Sequence, residues 1–156
     1  PLAIARLQQE RKNFNRARPY GYKAKPTRNS DGTTNLMVWK GTIPGTKGSP
    51  WEGGKYDFQL RFPQDYPKRG PTIKFTPGIF HPNVYPGGNV CVSLVTNWKV
   101  GTSITDIVHG LHNLLGNPNP RSPAHLPANK LYTKNREAYN DRIRKYAQST
   151  LKKKAK

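Results

Sequence analysis

The only cysteine of this 156-residue chain closes the run His81-Pro82-Asn83-Val84-Tyr85-Pro86-Gly87-Gly88-Asn89-Val90-Cys91, so a lone thiol follows directly on a turn-forming stretch. Pro82, Pro86, Gly87 and Gly88 interrupt any helix or long central strand, which predicts irregular backbone at Cys91. A thiol in that setting is suited to nucleophilic chemistry. An ordinary cysteine, with a pKa of about 8.5, is only a few per cent thiolate at neutral pH, yet that fraction is strongly nucleophilic. No Asp or Glu lies between Asp65 and Asp106, which favours the thiolate and leaves no local carboxylate to orient a histidine base. His81, ten residues upstream, is therefore a poor partner for a Cys-His protease. Exchange with an already activated acyl group, such as a thioester, fits better because it needs no strong base.

Other chemistries find less support. One Cys with His81, His109, His112 and His125 falls short of a four-ligand zinc set, so no metal is expected, and no phosphate-binding glycine loop ending in Lys-Ser or Lys-Thr is present. A single cysteine cannot form an internal disulfide, and no amino-terminal apolar stretch resembles a leader or a membrane span. The expected setting is a reducing compartment, nucleus or cytoplasm, with no membrane. Lys and Arg number 27 against 8 Asp and Glu, and the resulting charge of +19 calls for acidic partners: nucleic acid, an acidic protein surface or anionic lipid.

The elements that must position Cys91 read as one α+β domain over residues 1–156. Ile4, Leu7 and Phe14 mark the apolar stripe of a basic helix from Ile4 to about Arg16. An edge strand at Tyr22 to Thr27, a turn at Asp31-Gly32, and strands at Leu36 to Ile43, Tyr56 to Phe62 and Thr72 to Thr76 predict a four-stranded antiparallel meander. After the cysteine, Ser103 and Asp106 form an acidic capping box for a helix with Ile104, Ile107, Val108, Leu111, Leu114 and Leu115 inward, ended by Gly116. Four prolines enforce an extended passage before a helical region from about Ala128 to Leu151, and a basic tail from about Leu151 is expected to fray.

His81-Pro82-Asn83, then Cys91 eight residues after the Asn, then Trp98, together with Tyr66-Pro67 and Pro71, resemble the active-site signature of the ubiquitin-conjugating enzyme family. The resemblance covers nearly the whole chain. Within the family the segments RLQQERKNF at Arg6 to Phe14, Asp31 to Gly54, and HPNVYPGGNVCVS at His81 to Ser93 are most similar to the SUMO-conjugating branch. The alternatives are a ubiquitin conjugator of the same chemistry and, from another class, a basic nucleic-acid-binding module.

The resemblance implies that Cys91 carries the modifier as a thioester, that Asn83 steadies the oxyanion or the loop beside it, and that Tyr85 walls the groove for the acceptor lysine. It places Ser122 where the branch has an Asp beside that lysine. Lys74 and Lys99 would read acidic residues of substrates or be solvated charges, and Arg11, Lys12 and Arg18 would bind the activating enzyme and a second, noncovalent SUMO. His81 would brace the segment by hydrogen bonding. Implied partners are SUMO, its activating enzyme, ligases and substrate proteins, with nucleic acid secondary. No cofactor is expected to bind, ATP being used by the activating enzyme. The chain departs from the branch at Asn15, where an Arg is usual, at Thr72, Gly87 and Asn89, at the short VSLVTN stretch, and at Gly70, which replaces a proline and is expected to loosen a surface turn.

Overall fold

A computed structural model describes residues 2–17 and 21–155, with side chains described as far as residue 152. Helix α1 (Leu2–Ala17) leads into a five-stranded antiparallel sheet of sequential order: β1 (Lys23–Arg28), β2 (Thr34–Pro44), β3 (Lys55–Arg61), β4 (Thr72–Phe75) and β5 (Asn89–Val90). The four expected strands are present, and β5 extends the meander by pairing Val90 with Ile73 and Asn89 with Lys74. Two residues are too short to produce an alternation signal, and the flanking turn residues hide them.

The strict alternation of β3 holds: Tyr56, Phe58 and Leu60 are buried while Lys55 and Arg61 are exposed. Trp39, Leu60, Ile73 and Val90 meet across four strands in one inward row. Against this face packs α3 (Ile104–Gly116), whose six expected apolar residues are all buried. Its capping box is complete, with Asp106 N–H donating to Ser103 Oγ and Ser103 N–H to Asp106 Oδ2, each at 3.0 Å.

In α1 the stripe is Ala3, Leu7, Glu10 and Phe14, so a carboxylate sits among the buried positions. Glu10 accepts from the Ile104 backbone N–H at 2.9 Å and from Arg6 Nε at 3.1 Å, while Arg6 also donates to the Thr102 carbonyl. Glu10 thus takes up an otherwise unpaired N–H in the first turn of α3 and fixes α1 to the helix that backs the sheet.

The expected helical region from Ala128 to Leu151 divides into α4 (Leu126–Lys134) and α5 (Arg136–Ala155). The break is at Asn135, which caps both: its N–H donates to the Leu131 carbonyl, and its Oδ1 accepts from Ala138 N–H at 3.1 Å. The tail expected to fray from Leu151 instead continues α5 through Ala155, in keeping with a run of good helix formers free of Gly and Pro. Among the described residues, no helix is long and apolar enough to cross a membrane.

Candidate active site

The segment before the cysteine is held from behind by His81, which is fully buried. Its Nδ1 accepts the Asn83 backbone N–H at 3.0 Å, which places the ring proton on Nε2, where it is donated to the Leu114 carbonyl at 2.7 Å. Burial pushes the imidazole pKa down to about 4, outweighing the hydrogen bonds to the end of α3. A neutral ring with both nitrogens occupied is a brace and not a proton acceptor for Cys91.

Asn83 is also fully buried, and its carboxamide makes three hydrogen bonds to the proline-rich passage. Nδ2 donates to the carbonyls of Asn119 at 2.7 Å and Ser122 at 2.8 Å, and Oδ1 accepts from Asn119 N–H at 2.7 Å. A carboxamide nitrogen carries two hydrogens, and both are committed to the loop. The Pro82 carbonyl adds two contacts, accepting from Ala124 N–H at 2.8 Å and His125 N–H at 3.2 Å. Residues 82–83 therefore anchor residues 119–125. In the sequence only its place in the proline-rich run signals Asn119.

Tyr85 opens a tight turn, with Gly88 N–H donating to the Tyr85 carbonyl at 2.7 Å and Tyr85 N–H to the Asn89 carbonyl at 3.0 Å. Gly88 has φ +104°, and a Cβ there would run into the Phe75 carbonyl, so both backbone and space demand glycine. Tyr85 itself is 47% exposed. The irregular backbone expected at Cys91 is more ordered than that. Cys91 leaves β5 with extended dihedrals, is exposed, and forms the N-cap of the short helix α2 (Val92–Val95) as its carbonyl accepts from Leu94 N–H at 3.0 Å.

The remaining candidates fall in several places. The Ser122 side chain is exposed while its main chain is held by Asn83. Lys74 is exposed on β4 opposite Asn89, two residues before Cys91. Lys99 is exposed in a different turn, where its backbone N–H donates to Thr102 Oγ1 ahead of α3. Arg11 and Lys12 are exposed on α1, and Arg18 lies outside the described residues. At Gly70 a Cβ would approach the Trp98 ring to 2.9 Å, and that indole donates to the Pro67 carbonyl at 3.0 Å. Among the described residues, no group of three or more His, Cys, Asp or Glu is placed to hold a metal ion.

On this α+β fold an exposed cysteine thus stands at the end of a sheet edge, next to a buried His-Pro-Asn brace that fastens a proline-rich loop. The ubiquitin-conjugating enzyme family model matches residues 6–147, and the chain belongs to that family. Among curated relatives, "SUMO-conjugating enzyme UBC9" of Caenorhabditis elegans is 44% identical over 149 residues, covering 94% of this chain and 90% of the relative. "Sumo-conjugating enzyme ubc9" of Dictyostelium discoideum is 42% identical over 146 residues, covering 92% of each.

Proposed function

We propose that this chain is a SUMO-conjugating transferase in which Cys91 is the acyl carrier. The observation that carries the reading is the exposed, sole cysteine at the end of β5, next to a segment braced by His81 and Asn83. The names of the two relatives favour SUMO over ubiquitin as the modifier.

The Cys91 thiolate takes the carboxy-terminal acyl group of SUMO from the activating enzyme, whose own thiol leaves. A substrate lysine then attacks the thioester carbonyl. The new N–C bond becomes the isopeptide, the C–S bond breaks, Cys91 leaves as thiolate, and the amine proton passes to solvent. A free lysine with a pKa near 10.4 is almost wholly protonated at neutral pH, so the groove must favour the neutral amine. The exposed Tyr85 ring offers an apolar wall for that purpose, since partial burial disfavours the ammonium.

Asn83 acts by holding the loop that carries Ser122, because both its amide hydrogens already serve loop carbonyls. Ser122 can accept a hydrogen bond from the attacking amine but supplies no charge to offset the positive charge that develops on nitrogen. Lys74, beside the cysteine strand, is the better placed of the two lysines to read an acidic substrate residue. Arg11 and Lys12 offer a basic face of α1 to the activating enzyme and to a noncovalent SUMO.

Incubation with ATP and either the SUMO or the ubiquitin activating system tests the reading. A reductant-sensitive adduct with SUMO only, lost in Cys91→Ala, supports it. Charging by ubiquitin alone, or by neither, contradicts it.

A further inference from the structure

The register of the sheet sets Lys25 opposite Lys40, Lys40 opposite Gln59, Gln59 opposite Lys74 and Lys74 opposite Asn89, a single row across all five strands. Lys25, Lys40 and Lys74 are all exposed. With strands about 4.8 Å apart, the row from Lys25 to Lys74 extends roughly 14 Å. Beside it lies a groove of about 700 Å³ lined by Arg11, Lys23, Lys25, Lys40 and Gln59, with Asp57 the one carboxylate in the lining. Asp57 accepts from Thr42 Oγ1 at 2.7 Å.

Lysines placed directly opposite one another on paired strands repel and oppose folding. No ion pair relieves them: among the described residues the pairs are Arg6–Glu10, Arg69–Asp65 and Arg144–Asp141. A bound polyanion would relieve that repulsion. The occupant is decided by what else the face carries. Interfaces between proteins concentrate aromatic and apolar residues and are depleted of Lys, whereas nucleic-acid interfaces are polar and strongly positive. Among the described residues, the exposed large apolar side chains Leu2, Tyr85, Val100, Leu126 and Leu151 all lie off this row.

We propose that this outer sheet face binds the phosphate backbone of a nucleic acid through Lys25, Lys40 and Lys23. With no exposed aromatic side chain on the row to stack bases, binding is through phosphates, without sequence preference and with steep salt dependence.

The test uses fluorescence anisotropy of mixed-sequence duplex DNA and single-stranded RNA over a range of salt concentrations. The full chain is compared with a Lys25→Ser, Lys40→Ser variant and with a control, Lys130→Ser, Lys134→Ser, which removes two exposed lysines from α4. The expected result is binding of at least one nucleic acid, with the slope of log affinity against log salt shallower by about 2 in the sheet variant and kept in the control. The sheet variant should unfold at an unchanged or higher temperature, since a like-charge pair has gone. Absence of binding, an equal loss in both variants, or a polyglutamate peptide held as tightly through the same two lysines would overturn the proposal. Thioester charging of Cys91, measured on the same preparations, separates failure here from failure of the conjugating function.

Discussion

The carboxamide of Asn83 donates to the Ser122 carbonyl across 2.8 Å, which couples the segment leading to Cys91 to the proline-rich loop following α3. Two further bonds to Asn119 make this a three-point attachment, and it forms without using the Ser122 side chain. The loop is thereby set in place while its hydroxyl remains exposed.

Replacing Asn83 with Ala deletes all three bonds that fix the loop to a buried side chain, so stability should fall by about 2–4 kcal/mol. Cys91 lies outside the clamp, so thioester formation should persist in the folded fraction while discharge to lysine slows. Single-turnover assays of the two half-reactions, with urea unfolding alongside, would show it. Equal loss of both half-reactions would argue against a role through the loop.

A carboxylate at position 122 should speed the acceptor step. The attacking nitrogen gains positive charge as the new bond forms, and a nearby carboxylate stabilises that charge where a hydroxyl does so weakly. Ser122→Asp should discharge preformed thioester to lysine roughly tenfold faster, a gain of about 1.4 kcal/mol, and Ser122→Ala should differ little from the parent. Rates measured from the charged enzyme, without the activating system, isolate this step.

His81 gives the stability a pH dependence of known sign. Its folded pKa, about 4, is below the value of about 6.5 expected in the unfolded chain. Above pH 6.5 both states are neutral and the full stability is present. Between 6.5 and about 4 only the unfolded state takes up the proton, so a few kcal/mol are lost as pH falls through this window. Urea midpoints across that range should decline, and less steeply in His81→Gln.

Glu10 is the polar residue most worth removing. Glu10→Ala leaves Arg6 without its carboxylate and the Ile104 N–H without an acceptor at a buried helix junction. A loss of about 2–4 kcal/mol is expected from denaturant midpoints, with Glu10→Gln retaining part of it because an amide oxygen can still accept. A change under 0.5 kcal/mol in Glu10→Ala would place it with ordinary surface substitutions.

These residues mark how far the sequence could be read. Strands β1 to β4, the buried face of α3 and the Ser103–Asp106 box follow from local periodicity and capping chemistry, and they appear where expected. Glu10 escaped notice because a charged residue on an apolar stripe reads as an interruption until its partner, 94 residues away, is known. The two-residue β5 depends on a neighbouring strand that tertiary packing supplies, whereas the break at Asn135 rests on local capping that the apolar pattern does not show. Cys91 stands out as the only cysteine, placed after a run of turn residues, whereas Asn83 is marked only by the family resemblance, and its bonds span 36 and 39 residues.

The central claim is that Cys91 carries the acyl group, and intact-mass spectrometry of the charged protein tests it most directly. After incubation with SUMO, its activating enzyme and ATP, the protein should gain one SUMO mass that disappears with thiol reductant. Cys91→Ser should form an adduct that survives reductant, as an oxygen ester would. An adduct on the parent protein that resists reductant, or one that persists in Cys91→Ala, would contradict the account.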